Sequence, residues 1–311
     1  MQIHNGIEEF CVKAKTALTI GTFDGVHLGH QQILQKLREE AQKINGESVL
    51  LTFHPHPRDI VATKKPIQTG YLQTLLEKQE KLENHCLDHL IIQPFDKSFS
   101  SLSATKFVEE FLINKLQVNT IIIGYDHKFG HNREGDIGLL QQYEKKGKFK
   151  IIEISAVDIE EIKVSSTKIR KALLEGDLEV ANLLLNEPYL LSGEVVHGAK
   201  KGREIGFKTA NIGHLNSKKL IPGYGVYFVR FYCSGKEYNG VCNVGVKPTF
   251  NTNTGVSVEV HILDFEKEIY LQEVSIRFLQ FHRKERVFSD INELKTQISK
   301  DVQEARLYFN A

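Results

Sequence analysis

Two rhythms of apolar residues run along this chain, and one gives way to the other near residue 186. Before that point, short apolar runs at 18–21, 48–53, 89–92, 120–124 and 149–154 alternate with longer stretches near 30–44, 71–84, 103–116 and 136–146. In the first of these stretches Ile33, Leu34, Leu37, Ala41 and Ile44 recur at steps of one, three and four, which is one face of a helix. Alternation of this kind predicts βαβ units in an α/β domain with a doubly wound, mostly parallel sheet. From Tyr189 to about Leu279 the pattern changes to short β-branched and aromatic runs at 225–232, 239–245, 257–263 and 269–278. Turn signals such as Pro222-Gly223 and Ser234-Gly235 separate them, so this part reads as an antiparallel barrel or sandwich. A closing helix follows, with Ser289 as its N-cap and Ile291, Leu294, Ile298, Val302 and Ala305 on one stripe. Two domains are expected, 1–186 and 187–311.

Composition narrows the function classes. Forty basic residues face 39 acidic ones, so no global field draws the chain to nucleic acid or to a membrane. No apolar run nears the roughly 20 residues that span a bilayer, and no charged-then-apolar signal segment opens the chain. A basic DNA-reading helix is missing as well. The four cysteines, at 11, 86, 233 and 242, form neither a C-x-x-C pair nor a zinc spacing. They read as reduced packing residues of a cytoplasmic protein, and although Cys233 and Cys242 could face each other across a hairpin, no disulfide is expected there.

Candidate chemistry begins where the first strand ends. Gly21-Thr22-Phe23-Asp24-Gly25-Val26-His27-Leu28-Gly29-His30 lies between a strand and a helix N-terminus. Free backbone N–H groups and the helix dipole favour phosphate there, and Gly25 and Gly29 let the backbone approach a ligand. Taken alone, His27 and His30 could equally be a metal pair or two ordinary turn residues. The whole decapeptide resembles the signature of the nucleotidylyltransferase superfamily, and Val164-Ser165-Ser166-Thr167-Lys168-Ile169-Arg170 resembles its second motif. That resemblance implies that Gly21, Phe23, Asp24, Gly25, Gly29, Ser165, Ser166 and Thr167 hold ATP phosphates. It further implies that His27, His30 and Arg170 stabilise charge on the transferring phosphorus.

Two further segments resemble a narrower group, the bacterial bifunctional riboflavin kinase/FAD synthetases. They are the stretch with His54, Pro55 and Pro57, implied to hold the flavin of FMN, and the stretch with Asp126, Phe129 and Gly130, implied to hold adenine or flavin. His127 stands where that family more often has an aromatic residue. In the second part, Gly193, Gly198, Gly202 and Gly206 lie among basic residues, as either a phosphate loop or a glycine-rich hairpin would have them. Thr209 and Asn211, two apart on a strand, could offer two oxygens to a hard cation.

This stretch resembles the flavokinase module of the same family. The resemblance implies that Gly198, Lys201, Gly202, Arg203 and Gly206 bind ATP phosphates and that Thr209 and Asn211 hold Mg²⁺. It assigns Glu259 as the catalytic base, and Arg277, Arg283 and Phe288 to the border of the flavin pocket. Lys208 replaces the family's proline, and Tyr270-Leu271 its tyrosine-glycine.

The resemblance runs from residue 17 to about 309 with both motif sets in order. It implies an N-terminal nucleotidylyltransferase domain and a C-terminal antiparallel β-barrel flavokinase domain. The function implied is phosphorylation of riboflavin to FMN and adenylylation of FMN to FAD. The substrates would be riboflavin, FMN and ATP, with Mg²⁺ as cofactor, no nucleic-acid or membrane partner, and at most weak homo-oligomerisation. Two other readings are an adenylyltransferase that keeps only a flavin-binding barrel, and a non-catalytic flavin sensor.

Overall fold

The computed structural model describes residues 1–61, 70–124, 127–154, 164–198, 206–246 and 255–310. The chain divides into two compact units: Met1–Thr69 with Leu75–Ser165, and Gly70–Thr74 with Ser166–Ala311.

In the first unit, six strands form one parallel sheet: β1 (Gln2–His4), β2 (Thr16–Ile20), β3 (Glu47–His54), β4 (His89–Pro94), β5 (Val118–Gly124) and β6 (Lys150–Ile154). Their order is β1-β4-β3-β2-β5-β6, so the chain builds outward from β2 and then returns to add β5 on its other side. Ligands of such sheets bind beyond the carboxyl ends of the strands at the point where the order reverses. That point lies beside β2. All five of its residues are buried, as a strand covered by helices on both faces requires.

Alternate residues feed two cores. Leu18, Ile20, Leu51, Ile121 and Ile123 pack on one face with Phe107, Val108 and Leu112. Ala17, Leu50, Leu90 and Ile122 pack on the other with Leu34, Leu37 and Ala41 from the Leu28–Lys43 helix. Each buried leucine contributes roughly 1.5–3 kcal/mol relative to exposure.

The predicted strands and helices are present with shifted ends, and two features differ. β1 was not expected, because only His4 of its three residues is buried and no apolar run marks it. The 103–116 stretch is a short α-turn, Ala104–Lys106, followed by a π-helix, Phe107–Lys115, in which the Phe107 and Phe111 rings stack 5.9 Å apart.

The second unit holds β7 (Tyr189–Val196), β8 (Ala210–Gly213), β9 (Gly225–Cys233), β10 (Lys236–Val246), β11 (Val256–Ile262) and β12 (Glu273–Arg283), closed as an antiparallel barrel in the order β10-β11-β8-β7-β12-β9. The helices Ser166–Glu175 and Leu178–Leu185 belong to this unit, although the apolar rhythm changes only after them. Asn182 donates to the Phe278 carbonyl at 2.9 Å and accepts from the Tyr189 N–H at 2.9 Å, tying the second helix to β12 and β7. Residues 70–74 join the same unit. Tyr71 pairs with Lys219, and Lys219 Nζ donates to the Leu72 carbonyl at 2.8 Å.

The closing helix, Ile291–Asn310, packs Val302, Ala305 and Phe309 on Val226, Phe228, Val241 and Leu263. Its cap is Asp290 rather than Ser289. Asp290 Oδ1 accepts from the N–H groups of Asn292 and Glu293, whereas the Ser289 hydroxyl donates to Glu293. A carboxylate is the stronger acceptor at this positive helix end. Cys233 and Cys242 do not face each other. Register places them opposite Lys236 and Tyr227, and all four thiols are free.

Candidate active sites

At the carboxyl end of β2 the decapeptide makes a strained turn. Phe23 (φ 47°) and Val26 (φ 38°) both take left-handed backbone, where non-glycine residues are uncommon and a β-branched one is an outlier. Gly25 lies between them at φ 92°. His27 is buried and caps the Leu28–Lys43 helix, its Nδ1 accepting from the His30 N–H at 3.4 Å. The two imidazoles stack with centroids 3.7 Å apart and planes 14° apart, and the Phe23 ring lies 4.6 Å from His30 on a tilted plane. Within this stack His30 Nδ1 is enclosed and has no hydrogen-bond partner among the described residues. No group of three or more His, Cys, Asp or Glu able to hold a metal occurs among the described residues.

Beneath the turn lies a pair that sequence reasoning missed. Lys78 Nζ donates to the Thr22 carbonyl at 2.8 Å and the Thr52 hydroxyl at 3.4 Å, and Lys81 Nζ donates to the Gly25 carbonyl at 3.2 Å. Both lysines and Asp24 are buried. Burial lowers the Lys78 pKa to about 8 against the pull of Asp24. Burial also holds His30 well below the usual imidazole value, with His27, Lys78 and Lys81 adding to the shift. Spacing of three puts the lysines on one helix face, but nothing in the sequence marks that face as inward.

β3 and β5 run parallel to β2 and end at the same edge of the sheet. His54 is exposed at the end of β3, followed by a cis peptide to Pro55, and Pro57 opens the Pro57–Val61 helix. Phe129 packs partly into the core, its ring 5.7 Å from Phe107 and 5.9 Å from His127. Gly130 has a packing reason of its own, since at φ 74° a Cβ there would lie 2.6 Å from Ala104 Cα. Asp126 lies outside the described residues.

Ser165 and Thr167 are exposed at the start of the Ser166–Glu175 helix. Arg170 is buried in that helix, and its Nε donates to the Gly70 carbonyl at 3.0 Å within the second unit.

In the barrel, register sets Asn243, Glu259 and Asn211 side by side across β10, β11 and β8. Directly paired residues present their side chains to the same face of a sheet. Thr209 Oγ1 donates to Glu259 Oε2 at 3.5 Å. A Cβ on Gly198 would lie 2.2 Å from Asn211 Nδ2 and 2.7 Å from its Oδ1, so the glycine leaves the space that the amide fills. Hydroxyl, amide and carboxylate oxygens make a donor set suited to a hard cation. A cavity of about 170 Å³ adjoins them, lined by Val195, Gly198, Thr209, Asn211, Ile262 and Tyr270 among others.

Lys208, in the place of proline, has its backbone pinned, because its carbonyl accepts from His261 Nδ1 at 2.8 Å. Tyr270 stacks on His197 with ring centroids 4.0 Å apart. Cys242 is fully buried, and burial, with the charge of Glu259 adding to it, pushes its thiol pKa up.

The residues that the resemblance assigns to the flavin border lie on β12 and the segment after it. Arg277 is exposed on β12 between Leu190 and Arg230. The Arg283 guanidinium is held by Asp301 through two bonds of 2.9 and 2.7 Å, and Phe288 lies under Arg286. Gly206 has left-handed backbone at φ 88°, and Lys201, Gly202 and Arg203 lie outside the described residues.

Comparison with known proteins matches this layout. A family described as FAD synthetase matches residues 11–168, and one described as riboflavin kinase matches 185–309. A bifunctional riboflavin kinase/FMN adenylyltransferase of Buchnera aphidicola is 41% identical over 303 residues, covering 96% of both chains. Its namesake in Listeria monocytogenes is 39% identical over 292 residues, covering 94% of this chain and 92% of that one. A crystal structure of a macrolide-efflux protein from Streptococcus pneumoniae is similar at a TM-score of 0.85 and 28% identity, covering 98% of each chain. Among the described residues no helix is long and apolar enough to cross a membrane.

A parallel sheet with a glycine–histidine turn at its switch point, followed in the chain by a barrel with a hydroxyl–amide–carboxylate cluster, is the layout that these families give to a two-domain transferase. The chain belongs to the bifunctional riboflavin kinase/FMN adenylyltransferase family.

Proposed function

We propose that this chain makes FAD from riboflavin in two ATP-dependent steps, with riboflavin phosphorylated on the barrel unit and FMN adenylylated at the turn after β2. The observation that carries the reading is the stacked His27–His30 pair on a helix N-terminus at the switch point of the sheet.

Adenylyl transfer needs no protein nucleophile. The FMN phosphate attacks the α-phosphorus of ATP and pyrophosphate leaves, so the protein aligns the reactants and stabilises spreading negative charge. In this reading the backbone of Gly21, Gly25 and Gly29 and the turn of Ser165, Ser166 and Thr167 receive the phosphates. His27, His30 and Arg170 stabilise the transferring group, and the strand-end segments with His54 and Asp126 receive the flavin.

Phosphorylation of riboflavin requires a base for the ribityl 5′-hydroxyl. Glu259 takes that proton, and the bond to Thr209 Oγ1 holds its carboxylate beside the cation ligands. Thr209 and Asn211 would hold Mg²⁺, which supplies charge neutralisation for the phosphates of ATP. The His261 bond to the Lys208 carbonyl supports a working loop without the proline, and so favours two activities over one. We place the enzyme in the cytoplasm, acting on small molecules without nucleic acid or membrane.

The test is incubation with riboflavin, ATP and Mg²⁺ and separation of the flavins by chromatography. FMN and FAD together are expected. FAD formed only from supplied FMN would leave a single activity, and neither product would leave a flavin-binding protein.

A further inference from the structure

We propose that His261 is a positioning residue for riboflavin phosphorylation: its ring N–H grips the Lys208 carbonyl and thereby holds the Thr209 hydroxyl beside Glu259. The inference rests on the reading of Thr209, Asn211 and Glu259 as the phosphorylation site, and it gives a part in that site to a fourth residue.

Alternation along β11 buries Val258, Val260 and Ile262 and leaves Glu259 and His261 together on the other face of the strand. Register pairs Glu259 with Asn211 and Val260 with Ala210, and β8 begins at that alanine. One step further along, His261 would face Thr209, but Thr209 precedes the strand. Pairing between β8 and β11 therefore does not set the backbone of Thr209, although its hydroxyl is the group that reaches Glu259 Oε2 at 3.5 Å. The ladder stops one residue short of a proposed cation ligand.

His261 supplies a restraint at that point. Its Nδ1 lies 2.8 Å from the Lys208 carbonyl oxygen, and because a carbonyl only accepts, Nδ1 carries a proton. The peptide that joins Lys208 to Thr209 is planar, so a bond to its oxygen orients the plane that contains the Thr209 nitrogen and Cα. Phe207 stands edge-on to the imidazole, with centroids 5.5 Å apart and planes at 79°. The ring is thus met by two consecutive residues of the segment that leads into Thr209.

A proline at 208 would restrain the same peptide from the chain itself, by locking φ of that residue. Lys208 does not lock φ, and its side chain is exposed. The imidazole bond and a proline ring would act on the same few atoms, so each should make the other redundant.

The test uses the full-length chain with His261→Phe, which keeps a ring and loses the donor, and His261→Asn, whose amide nitrogen can take the place of Nδ1. Each is made with and without Lys208→Pro. Two sets of quantities are read: hydrogen–deuterium exchange of the 206–210 backbone without nucleotide, and the Mg²⁺ dependence, ATP KM and kcat of FMN formation. His261→Phe should speed exchange and raise the Mg²⁺ or ATP requirement by about 3- to 10-fold, the scale of one hydrogen bond, with a smaller change in kcat. His261→Asn should restore both readouts. In the Lys208→Pro background the loss from His261→Phe should shrink to less than about twofold, since coupled restraints are not additive. Wild-type exchange in His261→Phe would overturn the proposal, as would faster exchange with an unmoved Mg²⁺ and ATP requirement, or an equal loss in the Lys208→Pro background. If His261→Phe does not fold, His261→Gln, whose donor falls at the Nε2 position, carries the same comparison with His261→Asn. A Mg²⁺ dependence unmoved by Thr209→Ala would instead sink the site reading, and exchange would still report on the bond from His261.

Discussion

Asn211 occupies the space that a side chain at Gly198 would need: a Cβ there would come within 2.2 Å of its amide nitrogen. Gly198→Ala should therefore push the Asn211 amide out of place. The expected result is a raised Mg²⁺ and ATP requirement for FMN formation, with FAD synthesis from supplied FMN intact. Steady-state kinetics across a metal series checks it, and an unchanged metal dependence would show that Asn211 is no ligand.

Asn211 and Glu259 are register partners whose assigned roles should fail differently. Glu259→Gln is expected to lower kcat for FMN formation by about 10²–10⁴-fold, the usual scale for loss of a base, with little change in ATP KM. Asn211→Ala should act mainly through the metal requirement and be partly restored by higher Mg²⁺. Full FMN formation by Glu259→Gln would reduce that residue to a polar strand position.

His30→Ala should cut adenylyl transfer by about 10²–10³-fold, the loss seen when one charge-stabilising donor is removed. Riboflavin phosphorylation should hardly change, because it is assigned to the other unit. Both rates measured on one preparation decide the matter.

The helices before the barrel bear on where the chain can be cut. Asn182 bonds to β12 and to Tyr189, and the Gly223 N–H donates to the Leu173 carbonyl at 2.9 Å. A fragment of residues 166–311 is expected to resist urea better than one of residues 187–311, with riboflavin phosphorylation tracking the folded fraction. Equal midpoints would show that the helices add nothing to the barrel.

Arg283 and Asp301 fasten the closing helix to β12. Burial opposes ionisation of Asp301, yet the Arg283 fork and the Gln297 amide outweigh it and lower its pKa. With a lowered folded value, the stabilisation is present above the ordinary carboxylate pKa of roughly 3.9 and is lost as pH falls through the folded one. Arg283→Met should cost about 3 kcal/mol at neutral pH by leaving a buried carboxylate without its main partner. The gap from wild type should narrow at acid pH, where Asp301 takes up a proton. Urea unfolding at both pH values measures it.

Periodicity was enough to read most of the element types of this protein, though not the edge strand β1 or the π-helix Phe107–Lys115. Apolar runs buried on both faces, such as 16–20 in β2, specify parallel strands, and a strand-to-helix turn of glycines and histidines marks the place proposed here for phosphate. Motif order was equally legible, because each motif is local: its residues lie within about ten positions of one another. What lay beyond the sequence was long-range. Lys78 and Lys81 are 48 and 51 residues past His30, and a lysine pair on a helix reads the same whether it faces water or a buried turn. The helices at 166–185 look like a continuation of the first domain, yet Asn182 in the second of them bonds to β7 and β12. The fork of Arg283 closes on a carboxylate 18 residues later, a pairing that no local motif shows. Local spacing determines which face of an element is apolar or charged; only the packing of distant elements decides which of those faces is turned inward and what it meets.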